Sequence, residues 1–142
     1  MTEPERYIDE CEQRTHLLQR NQFVLEQVDP DHLVIGTAIR PEISNIYGIV
    51  HGGSLMYLAD VTAGLTALTD GRHYVTQNTS AQFLGNTDHG SIHAEGTVLR
   101  RGRSMTSVRV EIRDDGGRLM LESLFSMFTV DRPMISLPEE KK

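Results

Sequence analysis

Apolar residues change their spacing several times along this chain, and each change marks an element. From Gly53 to Leu68 the side chains of Leu55, Met56, Leu58, Ala59, Val61, Ala63, Leu65, Ala67 and Leu68 fall almost all round a helical wheel. That is the mark of a helix buried on most sides, and Asp70 and Gly71 punctuate its end. From Met105 to Arg113 the residues alternate. Val108, Val110 and Ile112 face one way and Arg109, Glu111 and Arg113 the other, which predicts a strand between a core and water. Tyr74 to Leu84, Ser91 to Arg100 and Arg118 to Val130 are three more strand candidates, and Asp114, Asp115, Gly116 and Gly117 form a hairpin turn before the last. Upstream, Phe23 to Val28 and His32 to Ile39 flank the turn formers Asp29, Pro30 and Asp31, and Pro41 closes the second run. Pro4 to Arg20 reads as one polar helix with a weak apolar stripe at Tyr7, Ile8, Cys11, Leu17 and Leu18, packed on the outside.

A nearly all-apolar helix set between one strand pair and four more strands predicts an α+β hot-dog fold, an antiparallel β-sheet wrapped around a long central helix. Such a sheet leaves an edge strand and an exposed face, which a second copy of the chain commonly covers. The 142 residues are enough for a single domain over 1–142, with 1–20 as an N-terminal helix and 131–142 as a frayed, flexible tail. The composition, 38% hydrophobic and 24% charged, is that of a globular chain able to bury a core. A formal net charge of −6 repels nucleic acid and acidic membrane surfaces, so neither is expected as a partner, and any polyanion has to meet a local basic patch. Cys11 is the only cysteine, which excludes an intrachain disulfide and a thiolate zinc site. Met1 to Asp9 lacks the apolar run of a signal peptide and no membrane-length apolar stretch follows, so the expected location is the cytoplasm.

The candidate chemistry lies between Asn45 and Asp60. His51, Gly52 and Gly53 stand where the chain enters the apolar helix. The first amides of a helix have no internal partner, the helix dipole adds positive character there, and two glycines let a ligand approach. Fixed N–H donors of this kind suit a developing oxyanion, although a Gly-Gly pair by itself equally marks a plain turn. Asp60 is an unusual residue for the interior of such a helix. Half-buried, it is expected to have a raised pKa and to act as base or nucleophile; the plainer readings are a hydrogen bond to Thr62 or Thr66, or an exposed polar strip. Asp60 lies about 10 Å along the helix from the N-terminal amides. A reacting group has to sit far closer to the carbon it attacks, so the site is expected to be composite, with His51 and the glycine amides from one subunit and Asp60 from the other.

The run N-I-Y-G-I-V-H-G-G-S-L-M-Y-L-A-D, carrying Asn45, Gly48, His51, Gly52, Gly53, Leu58, Ala59 and Asp60, resembles the signature of PaaI-type hot-dog thioesterases. Gln82, Phe83 and Leu84, then Gly90, Arg101, Gly102, Arg103 and the Gly117, Arg118, Leu119 turn, extend the resemblance over roughly residues 30 to 130. It implies hydrolysis of an acyl-CoA thioester, aryl or fatty, to free acid and CoA. Asp60 is then nucleophile or water-activating base and Gly52, with Gly53, the oxyanion amide. Asn45 positions water or thioester, His51 orients the loop or the carbonyl, and Thr76 holds the water or the Asp60 carboxylate. Phe83 and Leu84 join the substrate-binding residues. Arg100, Arg101 and Arg103 are the basic patch sought above, suited to the phosphates of CoA, though such a turn is also an ordinary solvated hairpin tip. The resemblance further implies a homodimer, expected to pair into a dimer of dimers. No cofactor and no metal is expected, the CoA thioester being substrate. The pattern departs from the family at Gly85 and Asn86, where Arg or Ser and Pro are common, and at Gly64, where some relatives carry a hydroxyl.

His89 and His93 have helical metal-ligand spacing but lie in a strand-like stretch, and Ser54 lacks the last glycine of a nucleophile elbow. Two other classes compete with hydrolysis: a non-catalytic domain that binds acyl-CoA, and a hot-dog dehydratase, whose usual His-plus-acid pattern is not matched.

Overall fold

The computed structural model describes residues 1–138. Six antiparallel strands form one sheet: β1 (Val24–Asp29), β2 (His32–Ala38), β3 (Tyr74–Phe83), β4 (Ser91–Arg101), β5 (Met105–Asp114) and β6 (Leu119–Thr129), in the spatial order β1-β2-β4-β5-β6-β3. The central helix, α3 (Gly52–Leu68), lies across its concave face against β2 to β6. Leu33, Ile35, Leu55, Leu58, Ile112, Met120, Leu121 and Phe125 are fully buried between the two layers, each contributing on the order of 1.5–3 kcal/mol relative to exposure. Inward and outward residues alternate along β5 as expected, with Val108, Val110 and Ile112 inaccessible and Arg109 and Arg113 in water. Helix and sheet touch most closely at Gly96, where a Cβ would collide with Thr66 and Thr62. The two buried threonines stay satisfied because their hydroxyls donate to the carbonyls of Leu58 and Thr62, at 2.7 and 2.6 Å.

The first twenty residues depart from a single outer helix. They form α1 (Glu3–Thr15) and α2 (Leu17–Asn21), broken at His16, whose φ of 51° is left-handed. Glu12 holds the break open, its carboxylate accepting the N–H groups of Leu18 (2.9 Å) and Gln19 (3.2 Å) that start α2. The apolar stripe faces inward and Ile8 joins the main core. Beyond β6 the chain is hydrogen-bonded to the N-terminal helices as far as Pro138. The Leu137 N–H donates to Arg14 O (2.9 Å), the Arg14 guanidinium to Met134 O (3.2 Å) and Arg20 to Pro138 O (2.7 Å). Residues 139–142 lie outside the described residues. No helix among the described residues is long and apolar enough to cross a membrane.

Candidate active site at the start of the central helix

The loop leading to α3 is tied down before the helix begins. Asn45 Oδ1 accepts the N–H groups of Tyr47 (2.9 Å) and Ile49 (3.4 Å), and Gly48 supplies the left-handed turn with φ +75°. Ser44 and Val50 pair as an isolated bridge. Asn86, beyond β3, grips Val50 from both sides: its Oδ1 accepts the Val50 N–H at 3.0 Å and its amide donates to Val50 O at 2.8 Å. The His51 N–H donates to Ile43 O at 2.8 Å. The side-chain oxygen of Asn45 therefore holds the loop, and Asn86, one of the departures from the family pattern, fixes the residue before His51.

His51 is the N-cap of α3, in extended conformation, and its Nδ1 accepts the Gly53 N–H at 3.2 Å. In the neutral ring this puts the proton on Nε2, leaving that nitrogen a donor. The N–H groups of Ser54 and Leu55 return to His51 O. The Gly52 N–H has no hydrogen-bond partner among the described residues and sits at the positive end of the helix dipole. The two glycine amides thus differ, Gly53 being engaged by His51 and Gly52 being open. The Phe83 ring stands beside Gly52, 3.6 Å from where a Cβ would be. Phe83 and Leu84 are both about half exposed, at 54% and 53%.

Asp60 is exposed in the single chain rather than half-buried. The sheet leaves one strip of α3 uncovered, carrying Tyr57, Asp60 and the partly exposed Gly64. The partner of Asp60 is Thr76 on β3, whose hydroxyl donates to Oδ1 at 2.6 Å; Thr62 and Thr66 bond within their own helix instead. Gly52 and Asp60 are separated by roughly 12 Å of helix, so the chain brings His51, Gly52 and Phe83 together at one point and Asp60 with Thr76 at another. A cleft of about 840 Å³ opens beside Asp60.

The basic turn does not act as a unit. Arg101 turns inward to the C-terminal end of α3, where it donates to Ala67 O (3.0 Å), Thr69 Oγ1 (3.1 Å) and Asp31 (2.8 Å) and pairs with Asp70 (2.9 Å). Its expected place in a phosphate-facing patch is corrected, because unsatisfied helix carbonyls and two carboxylates draw the guanidinium in. Arg100 and Arg103 are exposed, at the opposite end of a helix about 25 Å long from His51 of the same chain. His93 is held between Glu26 and Asp115, each at 2.7 Å, and His89 pairs with Asp88. No group of three potential ligands among the described residues is placed to hold a metal.

A six-stranded antiparallel sheet wrapped on one long helix, with a histidine-capped glycine N-terminus and a carboxylate two turns further on, defines a hot-dog domain. The family model of the thioesterase superfamily matches residues 47–121, and the chain belongs to that superfamily of enzymes. A protein of Saccharolobus solfataricus named as an esterase is 34% identical over 97 residues, covering 67% of this chain and 69% of that protein. A hypothetical thioesterase of Streptococcus pneumoniae, solved with coenzyme A, is 28% identical with a TM-score of 0.74, over 76% of this chain and 85% of that one. The same protein has been solved as an Asp-to-Ala and as a Thr-to-Ala variant, at positions sixteen residues apart. The E. coli PaaI protein of the phenylacetic acid degradation operon shares the fold, with a TM-score of 0.86 at 16% identity over 90% of this chain and 94% of that one.

Proposed function

We propose that the chain hydrolyses acyl-CoA thioesters to free acid and CoA at a site shared between two copies of itself. The observation that carries this reading is the division of the chemistry: an open Gly52 amide beside His51, whose preceding residue Val50 is clamped by Asn86, and an Asp60 carboxylate, held by Thr76 of β3, too far along the helix to reach one carbonyl with it. A second copy docked beside the uncovered strip of α3, with its His51 loop toward Asp60, supplies the missing half to each. The edge strand β3 and the exposed Ile46 (91%), Tyr47 (79%) and Val75 (50%) offer backbone and apolar surface for that contact. Pairing of two such dimers into a tetramer extends the same reading.

In the shared site the thioester oxygen accepts the Gly52 N–H, with the His51 Nε2–H as second donor. Asp60 of the other copy either attacks the carbonyl carbon or takes a proton from the water that does. The tetrahedral intermediate collapses by breaking the C–S bond; where Asp60 attacks, this leaves an acyl-aspartyl anhydride whose acyl C–O bond water then cleaves, so by either route water provides the hydroxyl of the acid and its proton ends on the CoA sulfur. Thr76 orients the Asp60 carboxylate, and Phe83 and Leu84 line the approach. Arg100 and Arg103 are candidates for the phosphates of CoA, reached from another copy's site. Asp60 and Thr76 are sixteen residues apart, the separation of the two positions replaced in the pneumococcal protein, which supports reading them as a working pair. The test is thiol release from a panel of aryl- and fatty acyl-CoA esters by wild type and Asp60→Asn. Turnover that needs Asp60 is expected; thioester recovered intact from wild type would point to a binding domain, and full activity of the variant would remove Asp60 from the chemistry.

A further inference from the structure

The cleft beside Asp60 is not required by the bond-breaking step, yet the chain builds it from four separate segments. Its floor is one face of α3, where Asp60, Gly64 and Leu68 succeed one another with Val61 and Leu65 alongside. Cys11 and Leu17 of the N-terminal helices and the start of β3 add two walls. The wall remaining is the C-terminal segment around Met134, latched in place by three hydrogen bonds: Arg132 O from His73 Nδ1–H (2.8 Å), Met134 O from Arg14 (3.2 Å) and the Leu137 N–H to Arg14 O (2.9 Å).

Two features of this cleft point to an apolar guest. A Cβ built on Gly64 meets nothing within 4 Å, so a residue that weakens a helix interior stands where the chain itself has no use for the space. Among the lining residues only Asp60, His73 and Arg132 carry a carboxylate, imidazole or guanidinium group; Cys11 is kept neutral, burial pushing its thiol up. The remainder is mostly aliphatic and sulfur surface, with Met134 packed partly on the core. The helix runs about 12 Å from Asp60 to Leu68, the span of an extended octanoyl to decanoyl chain.

We infer that this cleft holds the acyl chain, that the preferred substrates are medium-chain aliphatic thioesters, and that Gly64 and Met134 set the length accepted. The inference rests on the thioesterase reading and adds the substrate class to it. Three acyl-CoA esters, butanoyl, decanoyl and tetradecanoyl, separate the two claims when kcat/KM is measured for wild type, Gly64→Leu and Met134→Ala, with the oligomeric state of each followed by size-exclusion chromatography. Wild type is expected to favour decanoyl-CoA. Gly64→Leu fills the floor and should lower the decanoyl-to-butanoyl ratio about tenfold or more, while Met134→Ala opens the far wall and should raise the tetradecanoyl-to-decanoyl ratio several-fold. Ratios within about twofold of wild type in both variants would overturn the assignment. An equal loss at all lengths with a loss of dimer would overturn it too, giving the cleft to the second copy. Wild type that cleaves an aryl-CoA ester but none of the three would overturn the acyl-chain assignment and leave hydrolysis standing; wild type that cleaves neither kind would strike down the hydrolytic reading as well.

Discussion

The two ends of α3 are built to opposite rules. At the C-terminal end the last carbonyls and a carboxylate are tied up by side chains. Arg101 reaches Thr66 O, Ala67 O and Thr69 Oγ1, Asp31 and Asp70 neutralise it, Tyr74 donates its hydroxyl to Asp70 at 2.7 Å, and Arg72 ties the same carboxylate to the β4–β5 turn. At the N-terminal end one amide is capped by His51 and the next, at Gly52, is left open. Both ends begin with the same deficit of unpaired backbone groups. Satisfying one contributes to folding; in the proposed mechanism the one left open is the donor to the reacting oxygen.

That contrast can be broken from either side. The largest effect is expected from Asp60→Asn, which should lower kcat about 10³-fold or more while thermal unfolding stays near that of wild type, since the exposed carboxylate supports little of the fold. Gly52→Pro comes next. Proline is favoured at the first helical position, and His51 already has the extended conformation a following proline requires, so the substitution deletes one N–H and little else. A loss of about 10²–10³ in kcat measures that donor. At the other end Arg101→Ala should leave chemistry alone and remove roughly 3 kcal/mol of stability, because Asp31, Asp70 and the helix carbonyls lose their cation. Calorimetry should show a fall of about 10 °C in Tm. Thr76→Val keeps the shape but deletes the hydroxyl on Asp60, and about a tenfold drop in kcat is expected.

The smallest effect is a pH dependence at the capped end. Burial pushes the Asp70 carboxyl up, but the Tyr74 hydroxyl, the Arg72 N–H and guanidinium and the Arg101 charge outweigh it and hold the group below its ordinary 3.8. A depressed folded pKa means the stabilisation is present above 3.8 and is lost as pH falls through the lower folded value. The stability advantage of wild type over Asp70→Asn should therefore stay constant above pH 3.8 and shrink in denaturant titrations as the pH is taken below it.

The strands were legible because alternation is a local property: each predicted strand end falls within about one residue of its observed place. The apolar wheel of α3 was legible for the same reason, as was the pairing of histidine and glycines with a helix N-terminus. What escaped depends on contacts between distant positions. Arg101 meets Asp31 across 70 residues, and Asn86 clamps Val50 across 36; neither has a periodic signal. The latch of the C-terminal segment on Arg14 spans 120 residues, and a tail with two prolines gives no local sign of it. The wheel showed that α3 is mostly buried, but which strip stays open is decided by where the sheet ends, at β3. Asp60 therefore lies exposed in one chain; its partner is Thr76, the residue the family resemblance pointed to, and not the helical Thr62 or Thr66.

Mixing two disabled variants tests the shared site most directly. Asp60→Asn and Gly52→Pro are each expected to be nearly inactive alone. When they are co-expressed and allowed to assemble at random, half the dimers carry one of each, and each of these has one site with both defects and one with neither. Recovery of about a quarter of wild-type activity is the predicted result. A mixture no more active than its components, with mixed dimers shown to be present by mass spectrometry, would contradict a site built from two copies.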